Sequence, residues 1–451
     1  MLKKYKLIFV VLCVFVFCGC SKNNEEKENL DKINEDKNIV AEIVPELSIE
    51  EIEKNKYEQA IENFVSSLSI EQQIGQMFLI TIGGTEFNEN YYDLENFIAP
   101  GGYLLFAYNF VDGKQTIDYT SSISNWYSKN GFIKPYFSVD QEGGLVNRLR
   151  NVASPLPSAN SVAKFLSEDL AKTIYDYAAM QLSSLGIHVN IGPVVEILTD
   201  ENKKFLDTRS FGDFEKVFKY SRIFVNSMLE NNIFPVVKHF PGNNADDPHL
   251  GLPIIDFNQS QIEEILIKPF AEIENKDKVG VLVAHSVVPN LLSNSKNKNI
   301  PSCLSYDVVT DLLVNRLGYS NLVFSDDLLM SALQDNGYDS VASISMAIQA
   351  GVDVLMISQK EYMPFVNQIA ELCKNDENLC VNIKKSVKKI IDFKIKHGLL
   401  IYENGQIILP EGMSELDLKK YQLESFEQFQ LAFSKWTEFY HNYWGWFDNF
   451  W

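Results

Sequence analysis

The sequence predicts an α/β protein, a single (β/α)8 TIM-type barrel with an aromatic-rich C-terminal extension. Three observations point there. Eight short apolar, β-rich runs recur between residues 77 and 358. Amphipathic stretches of helical period separate most of them. The runs are continuously apolar, as expected of parallel strands buried on both faces. A doubly wound open sheet is the structural alternative. Neither G-x-G-x-x-G nor G-x-x-x-x-G-K-[ST] occurs, so no nucleotide fold is indicated.

In chain order the runs are MFLITI (77–82), GYLLFA (102–107), YFSVD (136–140), IHVNIGP (187–193), FPVVKHF (234–240), VGVLVAHS (279–286), NLVFSDD (321–327) and DVLMIS (353–358). The clearest helix is SEDLAKTIYDYAAMQLSSLG (167–186), with Ser167 as N-cap and Gly186 as C-cap. Further helical stretches cover 213–232, 258–275, 306–317 and 338–350.

Composition narrows the function. The chain has 451 residues, is 46% hydrophobic and carries a formal net charge of −20. An acidic surface repels a phosphate backbone, so nucleic acid is excluded as a partner. MLKKYK followed by LIFVVLCVFVF and FCGC has the basic start, apolar run and small-residue end of a secretory signal over residues 1–20. The ending resembles a bacterial lipobox, which makes Cys20 the expected lipidation site; a plain N-terminal membrane anchor is the alternative. Either places the body outside the cytoplasm, periplasmic or at the cell surface. Residues 21–38 are charged and free of aromatics, the composition of a disordered tether; the tether is expected to run to residue 59, with its Glu/Lys-rich last part turning helical near the body. Cys303, Cys373 and Cys380 have no metal-ligand spacing, and Cys373 and Cys380 either form one small disulfide loop or stay free.

The active sites of such barrels lie at the C-terminal ends of the strands. Here Asp140 ends the third run, Lys238 and His239 the fifth, His285 the sixth, and Asp326 and Asp327 the seventh. In SVDQEGGLVNRLR, Asp140 suits bonding to two hydroxyls of a sugar and Arg148 suits a ligand oxygen, or the two form an ion pair supporting the loop. Arg209, in DTRSFGD, reads by itself as a structural arginine before a helix. Successive strand residues point to opposite sides, so one of Asp326 and Asp327 faces the barrel axis while the other caps the next helix or meets a neighbour. In NNADDPH, Asp247 beside His249 gives an imidazole usable as acid or base near neutrality; the alternative is a surface turn.

Taken together, GQMF (75–78), GGYLLF (101–106), VDQEGG with Arg148, RSFG (209–212), KHFPG (238–242), D-x-H (247–249), LVAHS (282–286) and FSDDLLM (324–330) resemble the β-N-acetylhexosaminidase branch of the family 3 glycoside hydrolases, in family order over residues 60–400. The resemblance implies a retaining, metal-free and cofactor-free double displacement. It implies Asp326 as nucleophile and His249 as acid/base oriented by Asp247. It assigns Asp140, Arg148, Arg209, Lys238 and His239 to the N-acetylglucosamine (GlcNAc) unit at the non-reducing end. The expected substrates are GlcNAc-containing oligosaccharides, either peptidoglycan fragments or chitooligosaccharides. A phosphorylase, a non-catalytic sugar-binding lipoprotein and a structural surface protein with a decayed site are the alternatives.

The chain departs from the family pattern in places. KHFPG is followed by Asn243 where a second His is usual, the loop is shorter, and Pro248 replaces a Ser. Leu145 stands where Arg is common, and Glu196 stands at a usual Asp position. Residues 401–451 lie outside the resemblance, as an extension of unknown role. Trp444, Trp446 and Trp451 there suit sugar stacking, or the segment packs on the barrel exterior or in a weak dimer contact.

Overall fold

The computed structural model describes residues 48–244, 251–291 and 298–444. Backbone contacts divide the chain between Glu51 and Ile52. Of the first unit only Ser48–Glu51 is described, where the Glu51 N–H donates to Ser48 Oγ at 3.1 Å and the Ser48 N–H to Glu51 Oε2 at 2.6 Å.

The second unit is the barrel. Its strands are β1 (Phe78–Thr81), β2 (Gly102–Leu105), β3 (Tyr136–Val139), β4 (Val189–Asn190), β5 (Phe234–Phe240), β6 (Gly280–Val283), β7 (Val323–Ser325) and β8 (Leu355–Ile357). They pair in parallel in the order β8-β1-β2-β3-β4-β5-β6-β7. A bridge from Phe324 to Val354, with Ser325 N–H donating to the Val354 carbonyl at 2.9 Å, joins the two ends. Each of the eight expected runs is therefore a strand, and every strand residue is buried. That burial explains why the runs are continuously apolar.

Helix α1 (Ile49–Ser67) corrects the expected tether boundary at residue 59. The Glu/Lys-rich stretch expected to turn helical near the body does so from Ile49, and Ala60, Ile61 and Val65 are buried. Tyr57 donates to Asp392 Oδ1 at 2.8 Å and Glu62 pairs with Lys384 and Lys388, which fasten the helix to the end of the barrel chain. Helix α2 (Gly113–Lys129), capped by Asp112, was not among the expected helices. Helix α3 (Glu168–Ser184) has the expected N-cap, Ser167; Leu185 is its C-cap and Gly186 follows at φ +74°. Helix α4 (Phe214–Glu230) is as expected. Ile262–Ile267 and Asp307–Arg316 are wound as π-helix, a geometry that hydrophobic period does not resolve.

Beyond α5 (Glu377–Lys396), strands Ile401–Glu403 and Gln406–Ile408 form a hairpin around Asn404-Gly405, both left-handed, as a type I′ turn requires. The extension then continues as α6 (Glu415–Phe439), which packs on α2 and α3 through buried Phe429, Ala432, Trp436 and Phe439. A Cβ at Gly113 would lie 2.5 Å from the Phe429 ring, so only glycine permits that approach. Described residues of the extension therefore pack on the barrel exterior; Trp446 and Trp451 lie outside the described residues, and the Trp444 side chain is not described. Cys303, Cys373 and Cys380 are free thiols. Cys380 Sγ lies 3.2 Å from the Cys373 carbonyl oxygen, and burial pushes the Cys373 thiol up to about 12.

Lys394, on α5, is fully buried and donates to Gln76 Oε1 at 2.6 Å and the Lys134 carbonyl at 2.8 Å. Burial holds its pKa well below the usual lysine range. The folded chain thus binds fewer protons here than the unfolded chain does. Stability from this site rises with pH up to the ordinary lysine value of about 10.4. Lys394→Met removes that dependence. Urea titrations should show the wild-type-minus-variant difference moving in favour of wild type between about pH 7 and pH 10.

Candidate active site

A cavity of about 300 Å³ opens at the C-terminal ends of the strands. Asp140, Arg148, Arg209, Lys238, His239 and Asp326 all line it, so the structure gathers every expected site residue that it describes. Asp247 and His249 lie outside the described residues, as does Cys20. A larger cavity, about 540 Å³, sits at the opposite end of the barrel beside Phe234, Asn321 and His397. It contains none of the candidate residues, and barrel chemistry belongs to the other face.

The site is a chain of alternating charges. Lys238, with a side chain only 3% exposed, donates to Asp140 Oδ1 at 2.7 Å and lies 2.6 Å from Glu142 Oε1. Glu142 also takes a two-pronged bond from Arg209, Nε to Oε2 at 2.8 Å and Nη2 to Oε1 at 2.9 Å. Arg209 Nη2 reaches His239 Nε2 at 3.3 Å, and His239 Nδ1 lies 2.7 Å from Glu196 Oε1. A guanidinium has donors only, so Nε2 accepts and the proton sits on Nδ1, donated to Glu196. Arg148 Nη2 is 3.9 Å from Asp140 Oδ2, a loose ion pair that leaves its fork open to a ligand. Phe106 and Phe205 lie beneath the Arg148 and Arg209 guanidinium groups at 5.4 and 5.5 Å and fix their planes.

These contacts set the charge states. Burial pushes the Glu142 carboxyl up, but Lys238 and Arg209 outweigh it and hold Glu142 well below the usual range. Glu142 in turn holds the Arg209 guanidinium above its ordinary value, against the effect of burial. Burial likewise opposes ionisation of Glu196, and His239 and Asn243 reverse it.

Asp326 follows β7 and Asp327 comes next, as the alternation of strand side chains requires. Asp326 Oδ1 accepts the Asp327 N–H at 2.8 Å. Asp327 Oδ1 turns to the Leu329 and Ser358 N–H groups, at 3.0 and 3.2 Å, tying the end of β7 to the end of β8. Burial raises the Asp326 carboxyl, but His285, the Asp327 N–H and Lys238 together bring it below the usual aspartate value. It is an anion ready to act near neutrality.

His285 does not line the cavity. It is buried behind Asp327, with Nε2 2.9 Å from the Asp327 carbonyl oxygen and Nδ1 3.2 Å from Cys303 Sγ. It braces the backbone that carries the aspartates.

Sequence reasoning assigned no role to Glu142, although VDQEGG contains it. The signal was a carboxylate two residues past Asp140, in the tight hairpin of Gln141–Gly143 with Val146–Asn147. Reading Arg209 by itself as structural also falls short, because Arg209 lines the cavity while gripping Glu142.

The sequence profile of the glycosyl hydrolase family 3 N-terminal domain matches residues 69–393. The chain is 27% identical over 319 residues to β-hexosaminidase A of Pseudoalteromonas piscicida, a match covering 66% of this chain and 53% of that protein. It is 29% identical over 290 residues to the β-hexosaminidase of Nitrosomonas eutropha, covering 62% and 79%. The chain thus spans about half the length of the first relative and most of the second. In fold it is similar to a family 3 β-N-acetylglucosaminidase from Paenibacillus sp. FPU-7, with a TM-score of 0.67 and 23% identity, covering 80% of this chain and 69% of that one. The β-N-acetylglucosaminidase of Thermotoga maritima superimposes with a TM-score of 0.60 at 23% identity, covering 71% and 66%. Since the family profile spans most of the chain and coincides with the barrel and its charged mouth, the chain belongs to glycosyl hydrolase family 3.

Proposed function

We propose that the chain is a retaining exo-β-N-acetylglucosaminidase that removes GlcNAc from the non-reducing end of peptidoglycan fragments or chitooligosaccharides. The observation that carries this reading is the placement of two carboxylates. Asp326 follows β7 and Asp140 follows β3, four strands away on either path round an eight-stranded ring. A pyranose spanning the mouth meets Asp326 at its anomeric carbon and Asp140, Lys238 and Arg148 at its far hydroxyls. The names of the β-hexosaminidase relatives support the same substrate class.

In this reading an Asp326 oxygen attacks C1 as the bond from C1 to the leaving oxygen breaks, and His249 as imidazolium gives that oxygen its proton. Neutral His249 then takes a proton from water, whose oxygen displaces Asp326 from C1 with net retention. Asp326 gains interaction as positive charge develops on the ring, so its contribution falls on the transition state. The acid–base contribution is about 10²–10⁴-fold. Cys20, lipidated, tethers the protein to the membrane outside the cytoplasm.

The test is hydrolysis of an aryl N-acetyl-β-D-glucosaminide, followed by NMR, with and without phosphate. The expected result is β-GlcNAc released first, at a rate indifferent to phosphate. Acceleration by phosphate with sugar 1-phosphate as product would establish a phosphorylase. GlcNAc binding without turnover would establish a binding protein.

A further inference from the structure

Behind the nucleophile lies a buried pair, His285 and Cys303. His285 follows β6, and Cys303 belongs to the one-turn helix Ser302–Leu304. That turn is docked on the exit of β6 from both sides of the histidine. The Cys303 N–H donates to the Ala284 carbonyl at 3.1 Å, and the Ser302 N–H and Oγ donate to the Ser286 carbonyl at 3.0 and 2.6 Å. Bonds to the residues before and after His285 thus deliver the Cys303 sulfur to its Nδ1, at 3.2 Å.

The other ring nitrogen leads to the nucleophile. The Asp327 carbonyl oxygen lies 2.9 Å from Nε2 and can only accept, so Nε2 carries a proton. Burial and the Asp326 charge push the Cys303 thiol up, so the sulfur keeps its hydrogen. A thiol both donates and accepts. It gives its hydrogen to a neutral ring or takes one from a charged ring, and in either state the Nε2 proton stays on Asp327. With its carbonyl anchored, Asp327 is fixed in rotation, and its N–H holds Asp326 Oδ1 at 2.8 Å. The Asp326 N–H is held in turn by the Val283 carbonyl at 3.1 Å, at the end of β6. The ends of β6 and β7 are locked around one carboxylate, with Cys303 at the outer end of the line.

We propose that Cys303 is a positioning residue: through His285 and the Asp327 backbone it fixes the Asp326 carboxylate in the orientation that attacks the sugar. The catalytic half of this rests on Asp326 being the nucleophile; the hydrogen-bonded line does not.

The test uses the full chain as wild type, Cys303→Ala and Cys303→Ser, with a 5-fluoro glycosyl inactivator whose trapping reports the first chemical step alone. Alanine leaves Nδ1 unpaired and the ring free to turn, whereas the serine hydroxyl donates and accepts in place of the thiol. A displaced nucleophile costs rate rather than affinity. Cys303→Ala should slow trapping at saturation by at least about tenfold and change GlcNAc affinity in calorimetry by less than about twofold, while Cys303→Ser should trap within about threefold of wild type. In protein labelled with 15N-histidine, the His285 Nε2–H, identified by its loss in His285→Gln, should appear as a protected ring proton. Its exchange with solvent should quicken by at least about tenfold in Cys303→Ala and stay close to wild type in Cys303→Ser. Wild-type trapping in Cys303→Ala, equal losses in the two variants, or an Nε2 without its proton in wild type would overturn the proposal. Peptide mapping separates its failure from that of the nucleophile assignment. A label on Asp326 beside unaltered trapping in Cys303→Ala sinks the proposal alone. A label on another residue removes the assignment and the catalytic half with it, and the exchange data then decide the line by themselves.

Discussion

Asp326→Ala is expected to reduce kcat/KM on the aryl N-acetylglucosaminide by at least about 10⁴-fold, some 5.4 kcal/mol of transition-state stabilisation. The reason is specific to the position. Asp326 lies in the mouth of the barrel, is held as an anion by His285, the Asp327 N–H and Lys238 against the effect of burial, and has one oxygen already satisfied by that N–H. The remaining oxygen is the one free to attack. A 2-deoxy-2-fluoro or 5-fluoro glycosyl inactivator should label Asp326, located by peptide mass mapping. Asp327→Asn should cost much less in direct chemistry, because Asp327 Oδ1 is spent on backbone N–H groups. A label on another residue, or a near-wild-type rate in Asp326→Ala, would remove the nucleophile assignment.

The second large effect is on stability as well as activity. Glu142→Ala should destabilise the fold by about 3–5 kcal/mol, because it takes from Lys238 and Arg209 the buried carboxylate they share, leaving Asp140 beside Lys238 and, among the described residues, no directly bonded carboxylate on Arg209. Urea unfolding measures this directly. GlcNAc affinity should fall with it, since both cations lose the group that aims them. The pH dependence carries the same signature. A carboxylate held below its ordinary value contributes stability that is fully present above the unfolded value of about 4.3 and is lost as pH falls through the folded value. The variant should therefore lose less stability than wild type between about pH 5 and pH 2. An equally steep acid limb in both proteins would show that Glu142 is not the charged partner of these cations.

Much of this protein was legible along the chain. Eight continuous apolar runs fixed eight buried strands, because strand burial on both faces leaves no other pattern. Barrel geometry then placed Asp140, Lys238, His239 and Asp326 at one mouth, because parallel strands end on the same face. The N-cap Ser167 was equally local, a hydroxyl meeting the Leu170 N–H three residues on.

What the sequence could not decide is which charge meets which. Glu142 pairs with Arg209 across 67 residues and Asp140 with Lys238 across 98, and no local pattern encodes those distances. The tautomer of His239 depends on an arginine and a glutamate from two other segments. The partners of Tyr57 and Glu62 on the first helix, Asp392, Lys384 and Lys388, likewise come from far along the chain. Hydrophobic period is a property of neighbours in sequence, whereas Coulomb attraction and hydrogen bonding act over a few ångströms in space. The strands and their ends were therefore fixed by the chain itself, and the charge states and orientations that make the mouth a site were fixed only when the barrel closed.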